Sequence, residues 1–228
     1  MKLRRGWIIL SLLVLSLASS VPLAHAQPAT PVSEKPCAQL MAIGAATAAC
    51  VLVVHAVPGA PAVDVLLDGE VVASGLQFGQ VTGYLPIPDG DHDLAIAAAG
   101  NSADILATLT GVLLTSGNAV EVAAVGTPDA IQLIASSVDL SPIPPGTPGT
   151  PLQNSRIRVV HAVPDAPAFN IAMVGGDIAD QVVADLSFPM VSEYVIKTAG
   201  QYRILIEPSS LPVGSIDLGA VVFAGNGL

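Results

Sequence analysis

Five basic residues against 18 acidic ones make a poor surface for nucleic acid, and that is the balance of this 228-residue chain once its first 26 residues are set aside. Three of the eight basic residues, Lys2, Arg4 and Arg5, lie in that opening segment, so the remainder carries a net charge of −13; phosphate binding needs clustered Lys and Arg. An anionic membrane surface is disfavoured for the same reason, and the longest later apolar run, residues 40–54, has 15 residues, short of the roughly 20 a spanning helix requires.

The chain opens with Lys2, Arg4 and Arg5, an apolar run from Trp7 to Leu17, and the small-x-small sequence Ala24-His25-Ala26. That order predicts a secretory signal peptide over 1–26, cleaved before Gln27, and a secreted or cell-surface destination. The Arg4-Arg5 pair invites a twin-arginine reading, but the flanking polar residue is missing and the core is leucine-rich. Residues 27–50 read as a leader, Pro-rich and polar at first (QPATPVSEKP) and Ala-rich over 38–50, where alone a helical period is conceivable. Cys37 and Cys50 fall here and are the only cysteines. In an oxidising compartment they are expected to bond, closing a loop worth about 3 kcal/mol on the chain-entropy model. Their spacing suggests neither a redox dithiol nor a zinc site.

Residues 53–62, VVHAVPGAPA, recur at 159–168 as VVHAVPDAPA. The likeness continues: Gly69 answers Gly175, Leu76-Gln77-Phe78 answers Leu186-Ser187-Phe188, Tyr84 answers Tyr194, and Gly90 with His92, Leu94 and Ile96 answers Gly200 with Tyr202, Ile204 and Ile206. Two tandem copies are expected, 51–140 and 152–228, joined by the Pro/Gly/Thr linker 141–151 (SPIPPGTPGTP), a semi-rigid spacer. Within a copy the runs are short, β-branched and bounded by turn residues. AVDVLLDGEVVAS places Asp-Gly between two apolar runs, a strong hairpin signal, and HDLAIAA, DILATLTGVLL, AVEVAAVG and IQLIASSV follow. The fold class expected is all-β, as two immunoglobulin-like antiparallel β-sandwiches.

The repeated phrase reads as a strand and a fixed corner. Each proline fixes its own φ and pushes the residue before it out of the α region. Pro58 and Pro61, with Pro164 and Pro167 in the second copy, therefore bend the chain, and Asp64 or Asn170 is expected to face out as the next strand begins. Nothing after Leu228 answers residues 119–138. An incomplete sandwich exposes an edge. Three accounts are open: the sequence is a fragment, residues 40–54 fill the gap in cis, or else a partner chain donates strands there or the copy tolerates the loss.

VVHAVPGAPAVDVLLDG, then LQFGQVTGYLPIPDG, then an apolar strand and AAVG resemble the bacterial secreted family known as domain of unknown function 4397. The first copy follows the whole pattern, with Gly59 where that family has Asp. The second has Asp165 but Phe-Asn-Ile in place of Val-Asp-Val. The resemblance implies an exported β-sandwich module, often in tandem, and transfers no functional residues.

His55 and His161 are the first candidates for chemistry, since neutral imidazole serves as a metal ligand or general base. Neither copy supplies a second histidine at ligand spacing or a nucleophile, and the bland reading is a ring bonded to backbone at the corner. Asp89, Asp91 and Asp93 in PDGDHDL resemble the start of a calcium loop, but Leu94 and Gly100 stand where Gly and Glu belong. A solvated turn explains them equally, so no cofactor is expected and calcium is the only metal in view. No nucleophile elbow or phosphate loop is present. The expectation is a non-enzymatic structural or adhesive module for an extracellular or cell-envelope ligand. Its alternatives are a small-ligand or carbohydrate-binding module, with or without calcium, and a hydrolase.

Overall fold

The computed structural model describes residues 48–141, 154–175, 178–210 and 214–223. The expected signal peptide, the leader up to residue 47 with Cys37, and all of the 141–151 linker except Ser141 lie outside these residues. Among them the regular structure is all β.

The N-terminal half runs β1 (Ala48–His55), β2 (Val63–Leu67), β3 (Glu70–Leu76), β4 (Leu85–Pro88), β5 (Gly90–Ala98), β6 (Ile105–Leu114), β7 (Ala119–Thr127) and β8 (Ala130–Val138). Two four-stranded sheets form, in the orders β4-β1-β7-β8 and β3-β2-β5-β6. Alternating positions of both sheets meet in one core: Val51 and Val53 on β1, Val63 and Val65 on β2, Leu94 and Ile96 on β5, Val122 and Ala124 on β7. This is a sandwich, because each strand has one apolar face and neither sheet alone could bury it. Asp68-Gly69 forms the β2–β3 turn with φ of 50° and 87°, the conformation that a two-residue hairpin turn demands. The sheets are not purely antiparallel as expected. β1 pairs in parallel with β7, Cys50 opposite Ala119 through His55 opposite Ala124. Local alternation does not encode the direction of a partner some 70 residues away.

The C-terminal half runs β9 (Asn154–Ile157), β10 (Phe169–Gly175), β11 (Ile178–Leu186), β12 (Val195–Thr198), β13 (Gly200–Pro208) and β14 (Ile216–Phe223). Its sheets, β11-β10-β13-β14 and β12-β9, reproduce the pairings of β1–β6. Among the described residues no strand takes the places of β7 and β8. Residues 40–54 do not supply them as one account required: Ala48–His55 is β1, already paired on both sides. Residues 40–47 lie outside the description. The core of this half is correspondingly smaller, with Ile171, Val183 and Leu186 buried and Val159, Phe169, Ile204 and Ile206 only partly so.

The halves touch. Arg158 donates to Glu121 on β7 and, at 2.8 Å, to the Ser137 carbonyl on β8. Arg156 donates to the carbonyls of Asp139 and Ser141, and both guanidiniums lie over the Tyr194 ring. Gly126 N–H donates to the Ala162 carbonyl at 3.1 Å. Gly126 has φ of 113°, and a Cβ there would stand 2.3 Å from the Ala130 carbonyl oxygen. Gly126→Ala is therefore expected to destabilise the N-terminal half by about 2 kcal/mol in urea unfolding, through backbone strain at the β7–β8 turn.

Candidate functional site

The doubled phrase builds one corner twice. At its centre is a turn, with Ala60 N–H donating to the Val57 carbonyl and Ala166 N–H to that of Val163, each at 3.4 Å. Pro58 and Pro164 take the first central position, where a φ near −65° is wanted. The one letter that differs follows: Gly59 sits at φ of 78°, whereas Asp165 is not among the non-glycine residues of positive φ. The two turns thus differ in type, and each residue suits its own.

His55 and His161 lie inside the corner, 0% and 1% exposed. In His55, Nε2 stands 3.0 Å from the Pro61 carbonyl oxygen and Nδ1 accepts from Val57 N–H at 3.3 Å. His161 repeats this with Pro167 at 3.2 Å and Val163 at 3.4 Å. A carbonyl accepts and an N–H donates, so each ring is the neutral tautomer protonated on Nε2. Each imidazole cross-links the two sides of its corner, and neither nitrogen is left for a metal or a proton transfer. Aromatic rings close the surroundings: Phe78 edge-on to His55, Phe169 stacked on His161.

Asp64 does not face out as expected. It is buried, and its two oxygens accept from Gly75 N–H and Gly100 N–H, each at 2.8 Å. In the C-terminal half Asn170 Oδ1 accepts from Asp185 N–H at 3.0 Å and from the Ser209 hydroxyl at 3.3 Å. The position needs an acceptor for backbone and hydroxyl donors beside a bulge, and Asp and Asn both provide one. Another pair escaped the sequence reading. Thr82 Oγ1 accepts from Val53 N–H and donates to the Gly83 carbonyl. Ser192 does the same with Val159 and Glu193. A hydroxyl two residues before Tyr84 and Tyr194 was the signal available.

Asp89, Asp91 and Asp93 do not converge. Asp89 accepts from the Ser116 hydroxyl, Asp93 from Gly111 N–H at 2.9 Å, and Asp91 is exposed. Among the described residues no three His, Cys, Asp or Glu side chains gather closely enough to hold a metal ion. Cys50 is buried on β1, while Cys37 lies outside the described residues.

His92 is the third described histidine and is held differently. Nδ1 stands 2.6 Å from Asp68 Oδ2 and Nε2 3.0 Å from the Pro88 carbonyl. Both neighbours are acceptors, a pair of partners that favours the imidazolium, whose two nitrogens both donate. Its counterpart Tyr202 donates to the Thr198 carbonyl at 3.0 Å, the same clasp without the charge. The hydrogen bond to the Asp68 carboxylate, opposed by desolvation and aided by the Pro88 carbonyl and the charges of Asp68 and Asp91, holds His92 above its ordinary value. Asp68, which also accepts from Asp93 N–H, is lowered by that bond and by His92. A raised histidine stabilises fully below the unfolded value near 6.5 and ceases to as pH climbs through the folded one, whereas a lowered aspartate ceases to stabilise as pH falls below about 4. The clasp is strongest between these limits. Thermal midpoints are expected to fall modestly from pH 6 to pH 8, and His92→Gln to flatten that slope, the effect being small because the pair is near the surface.

No curated protein matches the chain. Residues 49–149, covering β1 to β8, match the model of a family described as Domain of unknown function (DUF4397), so the N-terminal sandwich is a domain similar to that family.

Proposed function

We propose that the protein is an exported, non-enzymatic structural or adhesive module, that both halves are copies of the one domain, and that it binds a cell-envelope ligand through its loops and free strand edges. The observation that carries this reading is the use made of the motif's polar groups. His55, His161, Asp64, Asn170, Thr82 and Ser192 all spend their hydrogen bonds on neighbouring backbone or on a flanking hydroxyl. The most chemically able residues hold corners, leaving the surface as the part that meets a ligand. The signal-like N-terminus of the sequence supports export.

The test is retention of the labelled mature chain on isolated envelope fragments of the cell that produces it. Saturable retention, unchanged by a calcium chelator, is the expected result. Absence of retention would remove the adhesive reading, and loss on chelation would favour a calcium-dependent module. Export also bears on the cysteines, which we propose to be paired. The secreted chain is then expected to have lost residues 1–26, and its mass to rise by a pair of hydrogens on reduction.

A further inference from the structure

Two described methionines sit in opposite surroundings. Met173 on β10 is 3% exposed, whereas Met190 is 56% exposed. Met190 closes a turn that both halves build. Its N–H donates to the Ser187 carbonyl at 2.8 Å, as Gln80 N–H donates to the Gln77 carbonyl at 3.0 Å. Each closing residue is then tied to the histidine of its own corner. His161 N–H donates to the Met190 carbonyl at 2.9 Å, and His55 N–H to the Gln80 carbonyl at 3.0 Å. The two side chains also reach back across their turns, with unequal results. Gln80 Oε1 accepts from Gln77 N–H at 2.9 Å, while Met190 Sδ accepts from the Ser187 hydroxyl at 3.5 Å. A thioether is a weak acceptor, so the second clasp is the poorer one.

We propose that Met190 is an oxidation site, and that its sulfoxide builds in the C-terminal half the clasp that Gln80 makes in the N-terminal half. The co-reactant is a peroxide. A lone pair of Sδ attacks one peroxide oxygen, and the S–O bond forms as the O–O bond breaks. The departing hydroxide takes the proton of the transferred hydroxyl and leaves as water; sulfur is oxidised by two electrons and the peroxide reduced by two. The heavy atoms of the product match those of glutamine. Sulfur stands for Cδ, the new oxygen for Oε1, and the methyl group for the amide nitrogen. Sulfoxides do harm where they carry a polar group into a core. Met190 lies outside the core, and its new oxygen meets Ser187 N–H as Gln80 Oε1 meets Gln77 N–H. The oxidant is thus absorbed at a position where the chain gains an acceptor, and the bond from His161 N–H to the Met190 carbonyl is left in place.

The experiment exposes the full chain to dilute hydrogen peroxide, with Met190→Leu treated in parallel to subtract oxidation elsewhere, Met41 included. Peptide mass mapping is expected to find an added oxygen on Met190 at a rate at least about tenfold that on Met173. Amide exchange at Ser187 is expected to slow by at least about threefold in the oxidised chain. The thermal midpoint of that chain is expected to fall no further than that of treated Met190→Leu. Met190→Gln is expected to slow the same amide without peroxide, and Met190→Leu to leave it unchanged with peroxide. Equal oxidation of Met173 and Met190 would overturn the proposal. So would unchanged exchange at Ser187 in the oxidised chain, or a thermal midpoint lowered by the Met190 sulfoxide.

Discussion

His55→Ala is expected to cost the N-terminal half about 4 kcal/mol in urea unfolding, from two orphaned backbone groups and the cavity left behind. The ring is fully buried and bridges Val57 N–H to the Pro61 carbonyl. Removing it strands the Val57 donor inside the buried corner and takes the Pro61 carbonyl's partner away, and it also removes the ring that Phe78 meets in a T-shaped contact. If the histidine served a reaction instead, its loss would cost activity and leave stability nearly unchanged. His161→Ala is expected to cost less, because the corner around Val163 is already partly open to solvent.

Asp64→Ala is the second large effect, about 3 kcal/mol, since Gly75 N–H and Gly100 N–H would both lose their partner inside the protein. Asp64→Asn separates this account from a purely electrostatic one. An amide offers a single accepting oxygen, so one of the two N–H groups loses its bond, and roughly half the cost of the alanine variant is expected. In the C-terminal half both recorded bonds go to the one oxygen of Asn170. Equilibrium unfolding of the native chain and the two Asp64 variants, monitored by the N-terminal core, checks the order.

What the sequence made legible was local. Alternation and Asp-Gly at 68–69 located β2 and β3, and the doubled phrase located two corners, because strand period and turn chemistry are written in adjacent residues. Pairing across long separations was not legible. The parallel match of β1 with β7 joins residues some 70 apart, and the Arg158–Glu121 contact spans 37 positions. Asp64 was expected outside because a charged residue at a strand start reads as solvent-facing. Only the fold brings Gly75 and Gly100 to it. His92 meets Asp68 across a hairpin turn 24 residues away, which explains why PDGDHDL looked like a metal loop when read alone. The aspartate that His92 bonds is not in that stretch.

The claim on which the rest depends is that the histidine corners are scaffolding. Nitrogen-15 NMR of the imidazoles tests it most directly. The account predicts that His55 and His161 both show an unprotonated Nδ1 and a slowly exchanging Nε2–H, with neither signal moved by added zinc or calcium. Rings that exchange freely with solvent, or that shift on addition of either metal, would contradict it.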